Sequence, residues 1–251
     1  MTEIIAHRGG AILWPENSMM AFRQAIAAGV DAVECDVHLS ADGEAMVMHD
    51  ATLDRTSNAR GPIGERSAAE LAAVKLISAG GESLPRLEDV LALVAESEVG
   101  LQVEVKANWQ GRPDFDLLAR VLAELDRFGL RGRTEVIVFE AEIAAAAVQA
   151  GGLRNVAWLF MPVMVRRLGV DGVAAVARRA GVSMVETHET AMDAAMLGTL
   201  RGAGLRVAAW GANHEPSIRR MLSLGVDAIA TDDPVLALSL RGSGRSDGAG
   251  G

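Results

Sequence analysis

Cysteine is almost missing from this chain. Cys35 stands alone among 251 residues, which excludes an internal disulfide and a paired-cysteine zinc site and agrees with a reducing, cytoplasmic setting. Basic residues are in deficit: 24 Lys and Arg against 33 Asp and Glu leave a formal charge of −9. With no basic run either, nucleic acid and anionic membrane surfaces are poor partners. No apolar stretch approaches the ~20 residues of a membrane helix, so membrane insertion is not expected. Met1 to His7 shows no basic flank followed by a long apolar run, so no signal peptide is visible. Walker A, dinucleotide-binding and EF-hand patterns are missing as well. Gly244-Arg245-Ser246-Asp247-Gly248 matches G-x-S-x-G, but no strand precedes it and no helix follows, so the match is accidental. The Gly- and Ser-rich segment 241–251 reads as a disordered tail.

What is present is apolar and regular. Half of the residues are hydrophobic, enough for a large core. Short β-rich apolar runs alternate with segments of helical periodicity. The strands read as Ile4–Ala6, Val33–Leu39, Leu101–Val105, Glu135–Phe139, Val156–Phe160, Ser183–Glu186, Leu205–Ala209 and Ala228–Ala230. Apolar strands separated by helices favour a parallel sheet covered by helices. Eight such units at this length favour an α/β fold closed as a (β/α)8 TIM barrel over an open sheet. Residues 1–240 are expected to form one domain. Ser40 to Arg86 breaks the rhythm and reads as an insertion, 40–86, in the second strand-to-helix loop.

The segment Glu34-Cys35-Asp36-Val37-His38-Leu39 carries the first chemical signal. Alternation puts Glu34, Asp36 and His38 on one strand face and Val33, Cys35 and Val37 on the other. Two carboxylates on a buried face demand a cation or several donors. A wet face of an antiparallel strand is the bland alternative. The carboxyl ends of the other strands decide between them, because a barrel of this kind carries its site there. Those ends supply His7 and Arg8, then Glu104 and Lys106, then Glu186 with His188 just beyond, then Trp210, then Thr231-Asp232. Interior positions elsewhere look mostly apolar, so polar residues are expected to concentrate at the mouth.

Glu34, Asp36 and Glu104 offer oxygen donors from adjacent strands, a set suited to Mg²⁺ or Ca²⁺. An ion pair with Lys106 is the simpler reading of Glu104. Asp42-Gly43 is a two-residue turn signal that folds the chain back and sets His49 across from Asp36. His7 and His49, flanking the carboxylates, suit acid–base work near neutral pH. Arg8 and Lys106 add positive charge for an anionic substrate, phosphate first. Trp210 is expected to wall the site and Trp109 to help cover it. His38 and His214 read as structural, and His188 as either structural or a substrate contact.

With these residues in hand the chain resembles the glycerophosphodiester phosphodiesterase family over nearly all of residues 3–235. The resemblance rests on His7-Arg8-Gly9, Pro15-Glu16-Asn17-Ser18, Glu34-Cys35-Asp36-Val37, Asp42-Gly43, His49-Asp50, Leu53-Asp54-Arg55-Thr56, Glu104-Val105-Lys106 and Thr231-Asp232-Asp233-Pro234. It implies a (β/α)8 barrel with a small insertion after the second strand. It also implies a divalent metal at Glu34, Asp36 and Glu104, and catalytic histidines at His7 and His49. The expected reaction is hydrolysis of a glycerophosphodiester, a small-molecule substrate, to glycerol 3-phosphate and an alcohol. Departures occur at Ser18, at Gly211-Ala212-Asn213 and at Val138-Phe139-Glu140, the last two at the substrate rim. The rival readings are a metal-dependent phosphodiesterase or lyase acting on lysophospholipids or phosphoinositides, and a non-catalytic phosphodiester-binding barrel.

Overall fold

The structure, a computed structural model, describes residues 1–243. Its strands are β1 (Glu3–Ala6), β2 (Ala32–Leu39), β3 (Ala45–Val47), β4 (Gly100–Val105), β5 (Thr134–Val138), β6 (Asn155–Phe160), β7 (Met184–His188), β8 (Arg206–Trp210) and β9 (Ala228–Thr231). The order β1-β9-β8-β7-β6-β5-β4-β2 is parallel throughout, and pairing of β1 with β2 closes it into an eight-stranded barrel. The main helices are α1 (Met19–Ala28), α2 (Ala68–Leu71), α3 (Leu87–Ala95), α4 (Phe115–Phe128), α5 (Ala141–Ala150), α6 (Pro162–Ala180), α7 (Ala194–Gly202), α8 (Glu215–Leu224) and α9 (Pro234–Ser243). This is a (β/α)8 TIM barrel.

Strand alternation sorts the side chains into two cores. Outward residues such as Val33, Cys35, Val37, Val103, Val136 and Val207 pack under the helices. Inward, Ile5, Ala32, Ile137, Ala157, Leu159, Met184, Ala208, Ala228 and Ala230 fill the barrel. Five of those nine are alanine, where branched aliphatics are usual. Polar side chains share this interior, which corrects the expectation that polar groups concentrate at the mouth. Gln102, Glu135 and Asn155 are buried near the amino ends of their strands. Gln102 Nε2 donates to Glu135 Oε1 (2.6 Å) and Asn155 Nδ2 to Glu135 Oε2 (2.8 Å), so the layer is held by hydrogen bonds.

The insertion contains β3 and α2 and has a small core of its own, built on Met46, Met48, Leu53, Ile63, Leu71 and Leu76. The hairpin register differs by one residue from the two-residue loop read from Asp42-Gly43. Val37 pairs with Val47 and Leu39 with Ala45. Ser40 N–H donates to Glu44 O (2.9 Å), and Gly43 sits at φ +83°, which gives a three-residue loop with glycine in the left-handed position. Met48 therefore faces Asp36, its N–H donating to the Asp36 carbonyl (3.0 Å), and His49 comes one residue later, beyond the ladder.

Two boundaries also move. α6, which begins at Pro162, breaks at Gly169 (φ +68°), where a continuous helix would be the simpler reading of 165–180. α9 runs on to Ser243, and Arg241 ties it to Thr2 O and Asp31, so the first three residues of the expected tail are helical. The rest of that tail, with its G-x-S-x-G match, lies outside the described residues.

Candidate active site

Eight parallel strands point their carboxyl ends at one mouth, and the sequence places unusual residues there. The chain leaves β1 through the turn His7–Gly9, in which Arg8 (φ +52°) and Gly9 (φ +83°) are both left-handed. A side chain at Gly9 would place its Cβ 2.7 Å from Ala21 Cβ on α1, so the tight packing of helix on turn requires glycine. Strain in a non-glycine residue costs of order 1–3 kcal/mol and persists where other contacts hold it. Here Arg8 N–H donates to Glu34 Oε2 (2.7 Å) and the guanidinium pairs with Asp36 and Glu16.

The segment Pro15 to Ser18 completes the same wall. Ser18, not Asn17, caps α1, accepting from Ala21 N–H (3.0 Å). Asn17 takes φ +54° and turns to β2, where its Nδ2 donates to Asp36 Oδ2 (2.8 Å) and its Oδ1 accepts the Asp36 N–H (3.3 Å).

Glu34, Asp36 and Glu104 lie on β2 and β4, with Asp36 and Glu104 directly paired across the strands. All three are buried, and one oxygen of each falls within 4.8 Å of the others. Burial, together with the charges of Asp36 and Glu104, pushes the Glu34 carboxyl well above its usual range. Burial likewise carries Glu104 to about 7, against the pull of Lys106. Asp36 stays far below its ordinary value despite burial, because Lys106 and Arg8 stand beside it. Glu34 Oε1 has no hydrogen-bond partner although it is buried. Three oxygen donors, one of them orphaned, with too little positive charge to keep all three ionised, fit a divalent cation. Lys106 takes a share of the same position: its Nζ lies 2.9 Å from Asp36 Oδ1 and 2.6 Å from Glu104 Oε1. The ion pair read from sequence as the simpler account of Glu104 is thus present, and it spans two carboxylates.

His7 and His49 open on the same cavity as Arg8, Glu34, Glu104 and Lys106. Each histidine is held at Nδ1 by a carboxylate. His7 Nδ1 is 2.6 Å from Asp232 Oδ1, and His49 Nδ1 is 2.7 Å from Asp50 Oδ1. In the neutral ring this bond puts the proton on Nδ1 and leaves Nε2 as the basic nitrogen. Asn213 fixes Asp232, donating from Nδ2 to Oδ2 (2.6 Å) and accepting the Asp232 N–H at Oδ1 (2.9 Å). Burial favours the neutral Asp232 carboxyl, but His7 and Arg8 hold it below its ordinary value. Asp50 is anchored by Arg55, whose guanidinium also grips Glu16 through two bonds of 2.7 and 2.8 Å. A continuous set of charge pairs therefore runs His49–Asp50–Arg55–Glu16–Arg8–Asp36. Burial lowers His49, with Lys106 and Arg8 acting in the same direction and Asp36 opposing them.

Sequence reading missed this supporting layer. Asp50, Arg55, Asn213 and Asp232 were visible as motif positions, but the contacts that tie them to the site, His7 to Asp232 and Arg55 to Glu16, span 225 and 39 residues and form only in the folded barrel. His38 is buried, and its Nε2 meets the His49 carbonyl oxygen (3.1 Å), so it braces the backbone that carries His49. His188 packs edge-on against Trp210, ring centroids 4.5 Å apart, and does not line the cavity. His214 lies at the start of α8. Trp109 packs beside Gly64 over a second pocket with His38 and Ser40, not over the main cavity. Trp210, with Ile137, Phe139 and Leu159, forms an apolar wall opposite the charged groups.

A sequence profile of the Glycerophosphoryl diester phosphodiesterase family matches residues 7–236. The chain belongs to this family. A glycerophosphodiester phosphodiesterase of Bacillus altitudinis is 30% identical, with 96% of this chain and 98% of that protein aligned. A crystal structure from Agrobacterium tumefaciens, provisionally described as a glycerophosphoryl diester phosphodiesterase, superimposes with a TM-score of 0.95 at 30% identity, covering 98% of this chain and 99% of its own. A phosphodiesterase of Oleispira antarctica, solved with its product sn-glycerol-3-phosphate, shares the fold at 22% identity and a TM-score of 0.84, covering 96% of each chain. The chain is an enzyme of the phosphoric diester hydrolase class. Among the described residues no helix is long and apolar enough to cross a membrane.

Two expected results follow from this geometry. Asp232→Asn keeps the size of the side chain but offers His7 an amide that can reverse and stabilise the wrong tautomer. Turnover should fall by about 10- to 100-fold with little change in KM, measured by steady-state kinetics, while Asp232→Glu should recover part of it. The second concerns Glu186, buried on β7 and pushed by burial and the Glu135 charge up to about 8. A carboxyl raised above its unfolded value of 4.5 favours the fold below that pH, and the contribution is lost as pH rises through about 8. Glu186→Gln, which stays neutral, should melt close to wild type at pH 5 and at a higher temperature than wild type at pH 8.5. Equal melting differences at both pH values would contradict a buried neutral carboxyl.

Proposed function

We propose that residues 1–240 act as one catalytic unit that hydrolyses glycerophosphodiesters to glycerol 3-phosphate and an alcohol by metal-dependent histidine acid–base catalysis. The observation that carries this reading is the pair of carboxylate-held histidines opening on the same cavity as a buried three-carboxylate cluster. Binding a phosphodiester needs no such proton-transfer pair; breaking one does.

Glu34, Asp36 and Glu104 would hold the divalent ion, which supplies Lewis-acid polarisation of the phosphoryl group when bound. Mg²⁺ and Ca²⁺ both suit three carboxylate oxygens. Arg8 and Lys106 neutralise charge on the phosphoryl oxygens and orient the diester. One histidine accepts at Nε2 the proton of the attacking oxygen, while the other donates from Nε2 to the departing alkoxide. Asp50 and Asp232 hold each ring in the required tautomer and stabilise its cationic form. Trp210 provides an apolar face for the substrate. We place the enzyme in the cytoplasm, a reading supported by its single cysteine, which has no disulfide partner.

A metal-supplemented panel of glycerophosphodiesters that differ in their alcohol tests this reading, with glycerol 3-phosphate release as the readout. Turnover of one or more members is expected. Tight binding without product, followed by phosphorus NMR, would favour the non-catalytic barrel, and turnover of lysophospholipids alone would favour the lipid enzyme.

A further inference from the structure

Exposed apolar side chains are distributed unevenly over the molecule. Among the described residues ten large hydrophobic side chains are exposed. Nine of them follow the carboxyl end of a strand, in a strand-to-helix loop or in the first two turns of the helix after it. Met1, which precedes β1, is the exception. Single exposed hydrophobics are ordinary, but their collection on the face that carries the mouth marks a contact surface.

Six of the nine form two clusters, each member at least 37% exposed. Ile12 and Leu13 follow β1 and lie beside the start of α9, which carries Val235; Ile12 N–H donates to Asp232 O (3.1 Å). Phe139 and Met161 follow the paired strands β5 and β6, and Leu168 ends the first segment of α6 before its break at Gly169. In the closed order β1-β9-β8-β7-β6-β5-β4-β2, β1 stands opposite β6 and β9 stands opposite β5. The two clusters therefore straddle the cavity. A peptide fits a continuous groove, whereas a broad apolar layer reaches both sides of an open mouth. A second copy of the chain seated on both clusters would close that mouth to substrate.

Charge narrows the kind of layer. Arg166 and Arg167 are exposed between Met161 and Leu168 and make no hydrogen bond or ion pair among the described residues. At a lipid interface an arginine lays its stem along the apolar layer and keeps its guanidinium among the phosphates. Glu142, three residues beyond Phe139, is exposed as well, so this rim carries both signs, as a zwitterionic headgroup does. The formal charge of −9 disfavours an anionic surface. We propose that the mouth face docks peripherally on a zwitterionic phospholipid surface. The two apolar clusters seat among the headgroups, and Arg166 and Arg167 meet lipid phosphates. On the phosphodiesterase reading, docking turns the cavity towards the place where deacylation of phospholipids releases glycerophosphodiesters.

Flotation with phosphatidylcholine vesicles tests this. Wild type should bind them with little dependence on salt, and more weakly when phosphatidylglycerol is mixed in. Met161→Ser with Leu168→Ser should lower vesicle affinity by about tenfold or more, because apolar contact drives the docking. Ile12→Ser with Leu13→Ser, on the other side of the mouth, should do the same. The four substitutions together should lose about the product, since distant contacts with one surface add. Arg166→Gln with Arg167→Gln should weaken binding by about twofold or more. None of these six residues lines the cavity, so melting temperature and turnover of glycerophosphocholine without vesicles should stay near wild type. If one serine pair does not fold, the other pair and the arginine pair decide. Failure of wild type to bind phosphatidylcholine would overturn the proposal, as would undiminished binding by the fourfold variant. Tighter binding to phosphatidylglycerol that salt abolishes would overturn it too. A dimer broken by the same serine pairs, with no vesicle binding, would assign the face to a second copy instead. Vesicle binding is read without catalysis, so a chain that binds lipid but hydrolyses no diester supports the docking and sinks only the phosphodiesterase reading.

Discussion

His49→Ala is expected to lower kcat for glycerophosphocholine by about 10²–10⁴-fold, the range in which a lost general acid or base is felt. His7→Ala should fall in the same range. Each ring is held at Nδ1 by a carboxylate, which leaves Nε2 as the basic nitrogen; in the proposed mechanism alanine removes the proton carrier and leaves the carboxylate cluster intact. Metal affinity measured by calorimetry should therefore stay close to wild type. The double variant should lose much less than the product of the single losses, because two groups that serve one proton relay act as a unit. Loss of metal binding in step with loss of rate would instead make these histidines ligands or structural props. Melting temperature separates the two cases further. His49 is partly exposed and His38 continues to brace its backbone, so His49→Ala should melt near wild type.

The second large effect is expected from the carboxylates. Removing divalent metal with a chelator should reduce turnover by at least about 10³-fold, in line with the several kcal/mol of transition-state stabilisation that a Lewis acid supplies. The reason lies in the charge balance of the site. Glu34, Asp36 and Glu104 are buried together, Glu34 Oε1 has no partner, and Lys106 is shared between the other two. Added metal should raise the melting temperature, because an ion that binds only the folded cluster stabilises it by about 2.7 kcal/mol at a hundredfold excess over Kd. Glu34→Gln should weaken that stabilisation and the rate together. Its amide also loses one of the oxygens that a hard cation needs, so excess Mg²⁺ should restore only part of the activity.

The barrel itself was legible because its signal is periodic. Short β-rich strands between amphipathic helices announce parallel pairing, and the carboxyl-end rule then gathers His7, Arg8, Glu34, Asp36, Glu104, Lys106 and Trp210 without any distance information. The structure brings all of these to one mouth. What escaped depends on contacts across the chain. The bond from His7 to Asp232 joins residues 225 positions apart, and no local pattern encodes it. The hairpin around Asp42-Gly43 was misread by one residue because Ser40 Oγ bonds Asp42 (2.6 Å) and Gly43 takes the left-handed position, which lengthens the loop. Trp109 was assigned to the wrong pocket, since an exposed aromatic in a loop carries no directional signal. The polar interior layer of Gln102, Glu135 and Asn155 was overlooked because the register of neighbouring strands is not written in any one of them, and the pairing of β4 with β5 and of β5 with β6 is what sets the three side by side.

The central claim is that the carboxylate-held histidines and the carboxylate cluster form one hydrolytic site. Its most direct test is release of glycerol 3-phosphate from glycerophosphocholine by wild type, His7→Ala and His49→Ala, each with Mg²⁺ or Ca²⁺ and after chelation. Rapid release by metal-loaded wild type alone, lost on chelation and recovered when metal is returned, is the predicted result. Undiminished release by either histidine variant, or by chelated wild type, would contradict it.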